Sequence, residues 1–312
     1  MDVHGLAPAE TARLTRRVTY YSVGVAAVLV AAKLVVWLLS GSVALLASMA
    51  DSALDLLASA GTFVAVRYAI HPPDAEHRFG HGKAEAFASL VQAGLVFASA
   101  ALIGRQAIAD LVHPHAVEDS LWAIFVMVLS TALTGLLIAA QTRVLRRAAS
   151  VAVSGDRAHY AADLASNLVA LVGIAAAAWL GVARLDPIAA LIVAAILLWG
   201  AVNVFRQSSA QLMDRELPES ERAEIVRLMT EDPRLIDVHQ LRTRASGPYV
   251  HMQMHVDLDP ELTLEAAHQV IVAAEKRVLA AFPAADIIIH ADPLGRAEPH
   301  GGAFAEAPAA EA

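Results

Sequence analysis

Cysteine is absent from the 312 residues. That excludes disulfides, thiolate metal sites and a cysteine nucleophile, and leaves histidine and the carboxylates as the strong metal ligands. No Lys/Arg-rich tract with interleaved aromatics occurs, which argues against a nucleic-acid partner. No His-Glu-x-x-His helix occurs either, so an intramembrane metalloprotease would lack its zinc-binding signature. Charge is scarce: 17% of residues are charged against 57% hydrophobic, and mean hydropathy is +0.53. A soluble domain of this length is not normally so apolar. The net charge of −8 says little about partners, because the arginines cluster at the ends of apolar blocks.

Those blocks are the dominant feature. Six apolar stretches, at about 18–39, 43–69, 84–111, 121–140, 150–180 and 188–205, are each near the ~20 residues a spanning helix needs. The first is too long for a signal-peptide core and lacks a clear small-residue cleavage site, so it reads as a retained helix. Arg13, Arg16 and Arg17 precede it. Arg67, Arg78 and Lys83 flank the second-to-third loop, and Arg143, Arg146, Arg147 and Arg157 the fourth-to-fifth. The loops on the other side hold Arg184 alone, so the positive-inside rule puts both termini in the cytoplasm.

From Gln207 the composition becomes that of a soluble domain. An amphipathic helix is expected over 219–230, strands over 235–244 and 249–258 around Ser246-Gly247-Pro248, a helix over 264–282 and a strand over 286–290. The expected fold is an α-helical membrane protein with six transmembrane helices and a C-terminal α+β domain of order α-β-β-α-β. Its parts are an N-terminal arm, 1–17, a membrane domain, 18–206, a soluble domain, 207–294, and a disordered tail rich in Ala, Glu and Pro, 295–312.

Inside the second apolar block Asp51 and Asp55 stand four residues apart, and inside the fifth His159 and Asp163 repeat the spacing. On a helix, each pair shares one face, one turn apart. Helical rise puts Asp51 and Asp55 about 12 and 18 Å in from the outer surface, and His159 and Asp163 about 14 and 20 Å in from the inner one. In a core of about 30 Å all four approach the midplane. Polar residues satisfied by helix–helix hydrogen bonds are the plainer reading. Two pairs at one depth make it the weaker one, because unpaired charge there is costly. Three carboxylates and an imidazole suit a divalent first-row cation, with Zn²⁺ favouring four ligands. Lys33 and Arg105 also lie in apolar blocks and receive no role.

The loop from His71 holds Asp74, His77 and His81 at spacings of three and four, a plausible second metal site or else a solvated loop. In the soluble domain, His239, His255, His268, His290 and Asp292 could be gathered at one sheet edge. His251 alternates with His255 and is ligand or surface. His4, His113, His115 and His300 read as incidental.

At this point the strings SMADSALD (48–55), HPPDAEHRFGHGKAEA (71–86), AHYAADLASN (158–167), QLMDRELP (211–218), HQLRTRASGP (239–248) and IIIHADP (287–293) can be set side by side. In that order they resemble the cation diffusion facilitator family, and within it the bacterial zinc/ferrous-iron efflux members. The resemblance implies a homodimer in the bacterial inner membrane, a metallochaperone-like cytoplasmic domain, and proton-coupled export of divalent metal. It implies that Asp51, Asp55, His159 and Asp163 form the transport site and Asp74, His77 and His81 a loop site. His239, His255, His290 and Asp292 would form a binuclear site at the dimer interface, with His268 as a further ligand. Lys83 and Asp214 would be an ion pair holding membrane and soluble halves together across the dimer. One departure is Ala291, where related sequences often have Gln. Zn²⁺ is the expected cargo, with Fe²⁺, Cd²⁺ and Co²⁺ as alternatives. A cation channel and a non-transporting metal sensor are the competing classes, and no enzymatic activity is expected.

Overall fold

The structure, a computed structural model, describes residues 6–40, 43–112, 121–180 and 185–296. Six long helices come first: α1 (Pro8–Ser40), α2 (Val43–Ala69), α3 (Lys83–Val112), α4 (Leu121–Leu145), α5 (Val151–Leu180) and α6 (Leu185–Leu212). They are followed by α7 (Glu219–Met229), β1 (Leu235–Ser246), β2 (Tyr249–Leu258), α8 (Leu264–Ala281) and β3 (Ala285–Pro293). His4, His113, His115, His300 and most of the expected tail lie outside the described residues. The chain forms two compact units, one within Val3–Arg215 together with Ser246–Tyr249, the other within Glu216–Ala245 and Val250–Ala312.

The first unit reverses the polarity of a soluble protein. Leu54, Leu57 and Val64 on α2, Leu136 on α4, and Ile192, Ile196 and Trp199 on α6 are exposed. The buried stripe of α3 is instead Glu85, Ala86, Ser89, Gln92, Ala93, Val96 and Ala100. Large apolar side chains face outward and small or polar ones face in, as expected of helices solvated by lipid. Small residues let the helices close up: a Cβ on Gly155 of α5 would stand 2.8 Å from Ser89 Oγ and 3.2 Å from Ser89 Cα on α3.

All six apolar stretches lie on long helices. Among the described residues α1 to α4 and α6 are each long and apolar enough to cross a membrane. The other long helix, α5, runs 30 residues and carries Asp156, Arg157 and Asp163 in its first half. Helix α1 begins with Pro8, ahead of the first apolar stretch, and the fixed φ of proline suits a first helical position.

In the second unit the sheet order is β1-β2-β3, with β3 parallel to β2. Val250, Met252, Met254, Val256 and Leu258 alternate along β2 into a core shared with Ile225 and Met229 of α7 and Val270, Ala274 and Val278 of α8. The intervening residues His251, Gln253, His255 and Asp257 therefore occupy the opposite face of the sheet. On β1 both Val238 and Leu241 pack against the core, three residues apart, and Gln240 between them has φ 50°. That phase slip has the form of a β-bulge, and it turns His239 away from the core.

Candidate metal centre

The four intramembrane residues come from α2 and α5, which pack against each other. His159 Nε2 lies 3.0 Å from Asp55 Oδ1 and 3.9 Å from Asp163 Oδ2. Asp55, His159 and Asp163 each offer a ligand atom, and those atoms all lie within 4.8 Å of one another. Asp51 is outside that cluster but lines the same cavity, of about 260 Å³, as Asp55, Asp163, Ser130 and Asn167. His159 is buried, and its Nδ1 has no hydrogen-bond partner among the described residues. Imidazole, carboxylates and room for an ion thus meet inside the helical bundle.

Two features here were not read from the sequence. Lys33 of α1 reaches the cavity and donates to Ser52 Oγ at 2.6 Å and to the Ser48 carbonyl at 3.1 Å. Nearby, Asp156 is fully buried and accepts from Gln141 Nε2 at 2.8 Å, Ser59 Oγ at 3.2 Å and Gln92 Nε2 at 3.3 Å. Tyr160 extends this network, 2.7 Å from Ser59 Oγ, and donates to the Ser22 carbonyl at 3.2 Å. Buried carboxylates persist only where donors replace water, and α2, α3 and α4 supply them here. The available signal was spacing: Asp156 stands one turn before His159.

In the loop after α2, His81 Nε2 is 3.2 Å and His77 Nδ1 3.4 Å from the two oxygens of Asp74. The backbone N–H groups of His77 and Glu76 donate to Asp74 Oδ1 at 2.6 and 2.9 Å. The His77 N–H above all holds the Asp74 carboxyl below its ordinary range. His81 is buried with its ring edge-on to Tyr68, centroids 4.5 Å apart, while Asp74 and His77 are exposed.

In the second unit Asp292 is the hub. Its Oδ2 is 2.7 Å from His255 Nδ1 and 3.6 Å from His239 Nε2, and its Oδ1 is 3.3 Å from His290 Nε2. The β2–β3 register explains this, pairing His255 with His290 and Asp257 with Asp292. Asp257, not selected from the sequence, lies 3.5 Å from His239 Nε2. His251 instead meets Asp286, at 3.1 Å. His268 is not brought to this cluster within the chain. It is exposed on α8, and α8 packs on the core side of the sheet, whereas the histidines stand on the other face.

Lys83 Nζ lies 2.9 Å from Asp214 Oδ1 and donates to the Leu212 carbonyl at 3.3 Å. The pair closes within a single chain and within the first unit, joining the start of α3 to the end of α6.

Comparison with known proteins gives two domain matches. The cation efflux transmembrane domain covers residues 19–213, and the cytoplasmic domain of cation efflux proteins covers residues 217–294. The cation-efflux pump FieF of Yersinia enterocolitica is 36% identical over 282 residues, 90% of this chain and 94% of its own length. The cation-efflux pump FieF of Shewanella oneidensis is 39% identical over 273 residues, 88% of this chain and 92% of its own. A solved structure of CzrB in its zinc form is 31% identical, covering 28% of this chain and 99% of that one, at a TM-score of 0.26. That score is too low to carry an argument. The domain matches and the full-length relatives carry it instead: this chain belongs to the cation efflux family, the cation diffusion facilitators.

Proposed function

We propose that the protein exports divalent metal ions, with Zn²⁺ the preferred cargo, from the cytoplasm of a bacterial cell across its inner membrane in exchange for protons. The observation that carries this reading is the convergence of Asp55, His159 and Asp163 within 4.8 Å, beside a cavity also lined by Asp51. One imidazole with carboxylates favours Zn²⁺ over the harder divalent ions, and Fe²⁺, Cd²⁺ and Co²⁺ are the next candidates.

The exchange rests on one nitrogen. An ionised Asp55 can only accept, so its hydrogen bond to His159 holds a proton on Nε2. In this reading the ring of the empty site is imidazolium: a metal ligated at Nε2 releases that one proton to water, and the neutral ligand ring keeps the other on Nδ1. Rocking of the helices would then present the loaded site outside and the protonated site inside. Asp51 completes a four-ligand set in this reading, supported by its place at the cavity wall.

The cytoplasmic cluster around Asp292 is read as a regulatory metal site that tightens a homodimer when cytoplasmic metal rises, and the Asp74 loop as a further metal site. Both termini are placed in the cytoplasm on the arginine distribution. The test is Zn²⁺ flux into proteoliposomes. Asp51→Ala and Asp163→Ala should abolish it, while full flux in either would remove the site assignment. A channel would give non-saturating flux independent of a pH gradient, and a sensor would give none.

A further inference from the structure

We propose that Lys33 is a charge-balancing residue of the transport site: its ε-ammonium, tethered to Ser48 and Ser52 on the wall shared with Asp51, Asp55 and Asp163, sets the site's net charge to match a dication. This rests on the reading of Asp51, Asp55, His159 and Asp163 as the transport site.

Lys33 is 9% exposed on the inner face of α1. A lysine in a spanning helix ordinarily snorkels so that its ammonium reaches the interface. Lys33 instead donates across to α2, to Ser52 Oγ at 2.6 Å and the Ser48 carbonyl at 3.1 Å. Both acceptors are uncharged, so these bonds fix the ammonium without neutralising it, and a buried charge needs a counter-charge. The counter-charge is the acidic site. Lys33 lines the same cavity as Asp51, Asp55 and Asp163. Along α2 the tether residues precede the acids by three places each, Ser48 before Asp51 and Ser52 before Asp55. That spacing keeps the four on adjoining strips of one face.

Three ionised carboxylates carry three negative charges, and Lys33 reduces the sum to two. A divalent ion with neutral His159 as ligand then makes the loaded site neutral, the state that crosses a low-dielectric bundle at least cost. Without the ammonium the loaded site keeps one uncompensated negative charge and holds its cargo too firmly. Lys33 therefore favours release as much as charge selection. Being covalently tethered, it cannot leave with the metal.

The test uses the full-length protein, with Zn²⁺ alone as the probe in calorimetric titration and proteoliposome flux. The transport-site class is defined as the binding lost in Asp163→Ala. Lys33→Gln keeps an N–H donor for Ser48 and Ser52 and removes the charge. It should tighten the transport-site Kd by about tenfold or more, with turnover falling as release slows. Lys33→Met should shift Kd in the same direction, and Lys33→Arg, which keeps the charge, should shift it less than either. Neutral variants that bind Zn²⁺ no tighter than wild type would overturn the proposal. So would Lys33→Arg matching Lys33→Gln, or both neutral variants failing to fold where Lys33→Arg folds, since Lys33 would then be a helix clamp only. If Asp163→Ala itself loses no binding class and no flux, the transport-site reading fails, whatever the Lys33 variants do.

Discussion

His159 Nε2 and Asp55 Oδ1 lie 3.0 Å apart, joining α5 to α2 by a bond between side chains 104 residues apart in sequence. That bond puts imidazole and carboxylate at one point of the bundle, with Asp163 Oδ2 at 3.9 Å from the same nitrogen. The metal preference should therefore hinge on His159. In a competition panel, His159→Asp should lower Zn²⁺ transport relative to Mn²⁺ by about tenfold or more, because an all-carboxylate site suits the harder ion. An unchanged Zn²⁺/Mn²⁺ ratio would place selectivity elsewhere.

The cytoplasmic cluster should fail through its hub. Asp292 touches His239, His255 and His290 at once, so Asp292→Ala should reduce the Zn²⁺ stoichiometry of the purified protein by at least about one ion per chain. Asp257→Ala should weaken binding less, since among the described residues Asp257 reaches His239 and not His255 or His290. Equal stoichiometry in Asp292→Ala and wild type, by metal analysis after dialysis, would remove this cluster as a site.

The Lys83–Asp214 pair distinguishes two architectures. In a protein with no native cysteine, Lys83→Cys with Asp214→Cys can be joined by a short bismaleimide. The 2.9 Å contact within one chain predicts a product that runs as a monomer on a denaturing gel. A predominantly dimeric product would show the pairing to be between subunits.

The loop has a defined pH response. The Asp74 carboxyl is held below its ordinary range, chiefly by the His77 N–H, so it is more acidic folded than unfolded. Its contribution is then complete above the ordinary carboxylate pKa of about 3.9 and is lost as pH falls through the lower folded value. Hydrogen-exchange protection of the loop, corrected for intrinsic rate, should differ between wild type and Asp74→Ala by the same factor at pH 8 and pH 5. A difference that shrinks across that interval would contradict the assignment.

What was legible beforehand was whatever depended on spacing along one element. Asp51 with Asp55 and His159 with Asp163 are one helical turn apart, so each pair could be read without knowing its neighbour. The α-β-β-α-β order was legible for the same reason, from alternation in β2 and apolar periodicity in α8. Features set by packing between elements were not. Lys33 could be an interface anchor until α2 is seen to accept its hydrogen bonds. The donors of Asp156 come from helices far apart in sequence. His268 has the right chemistry, but Val270, Ala274 and Val278 turn α8 onto the core side of the sheet, away from His255. The reverse holds for His239, which a local slip between Val238 and Leu241 aims toward the cluster.

The most direct test of the account is initial-rate Zn²⁺ uptake into proteoliposomes holding wild type or Asp55→Ala, with and without an imposed pH gradient. The account predicts saturable uptake in wild type that rises with a gradient supplying protons to the opposite face, and loss of at least about 99% of it in Asp55→Ala, consistent with removal of a ligand worth several kcal/mol. Uptake in Asp55→Ala equal to wild type, or wild-type uptake indifferent to the gradient, would contradict it.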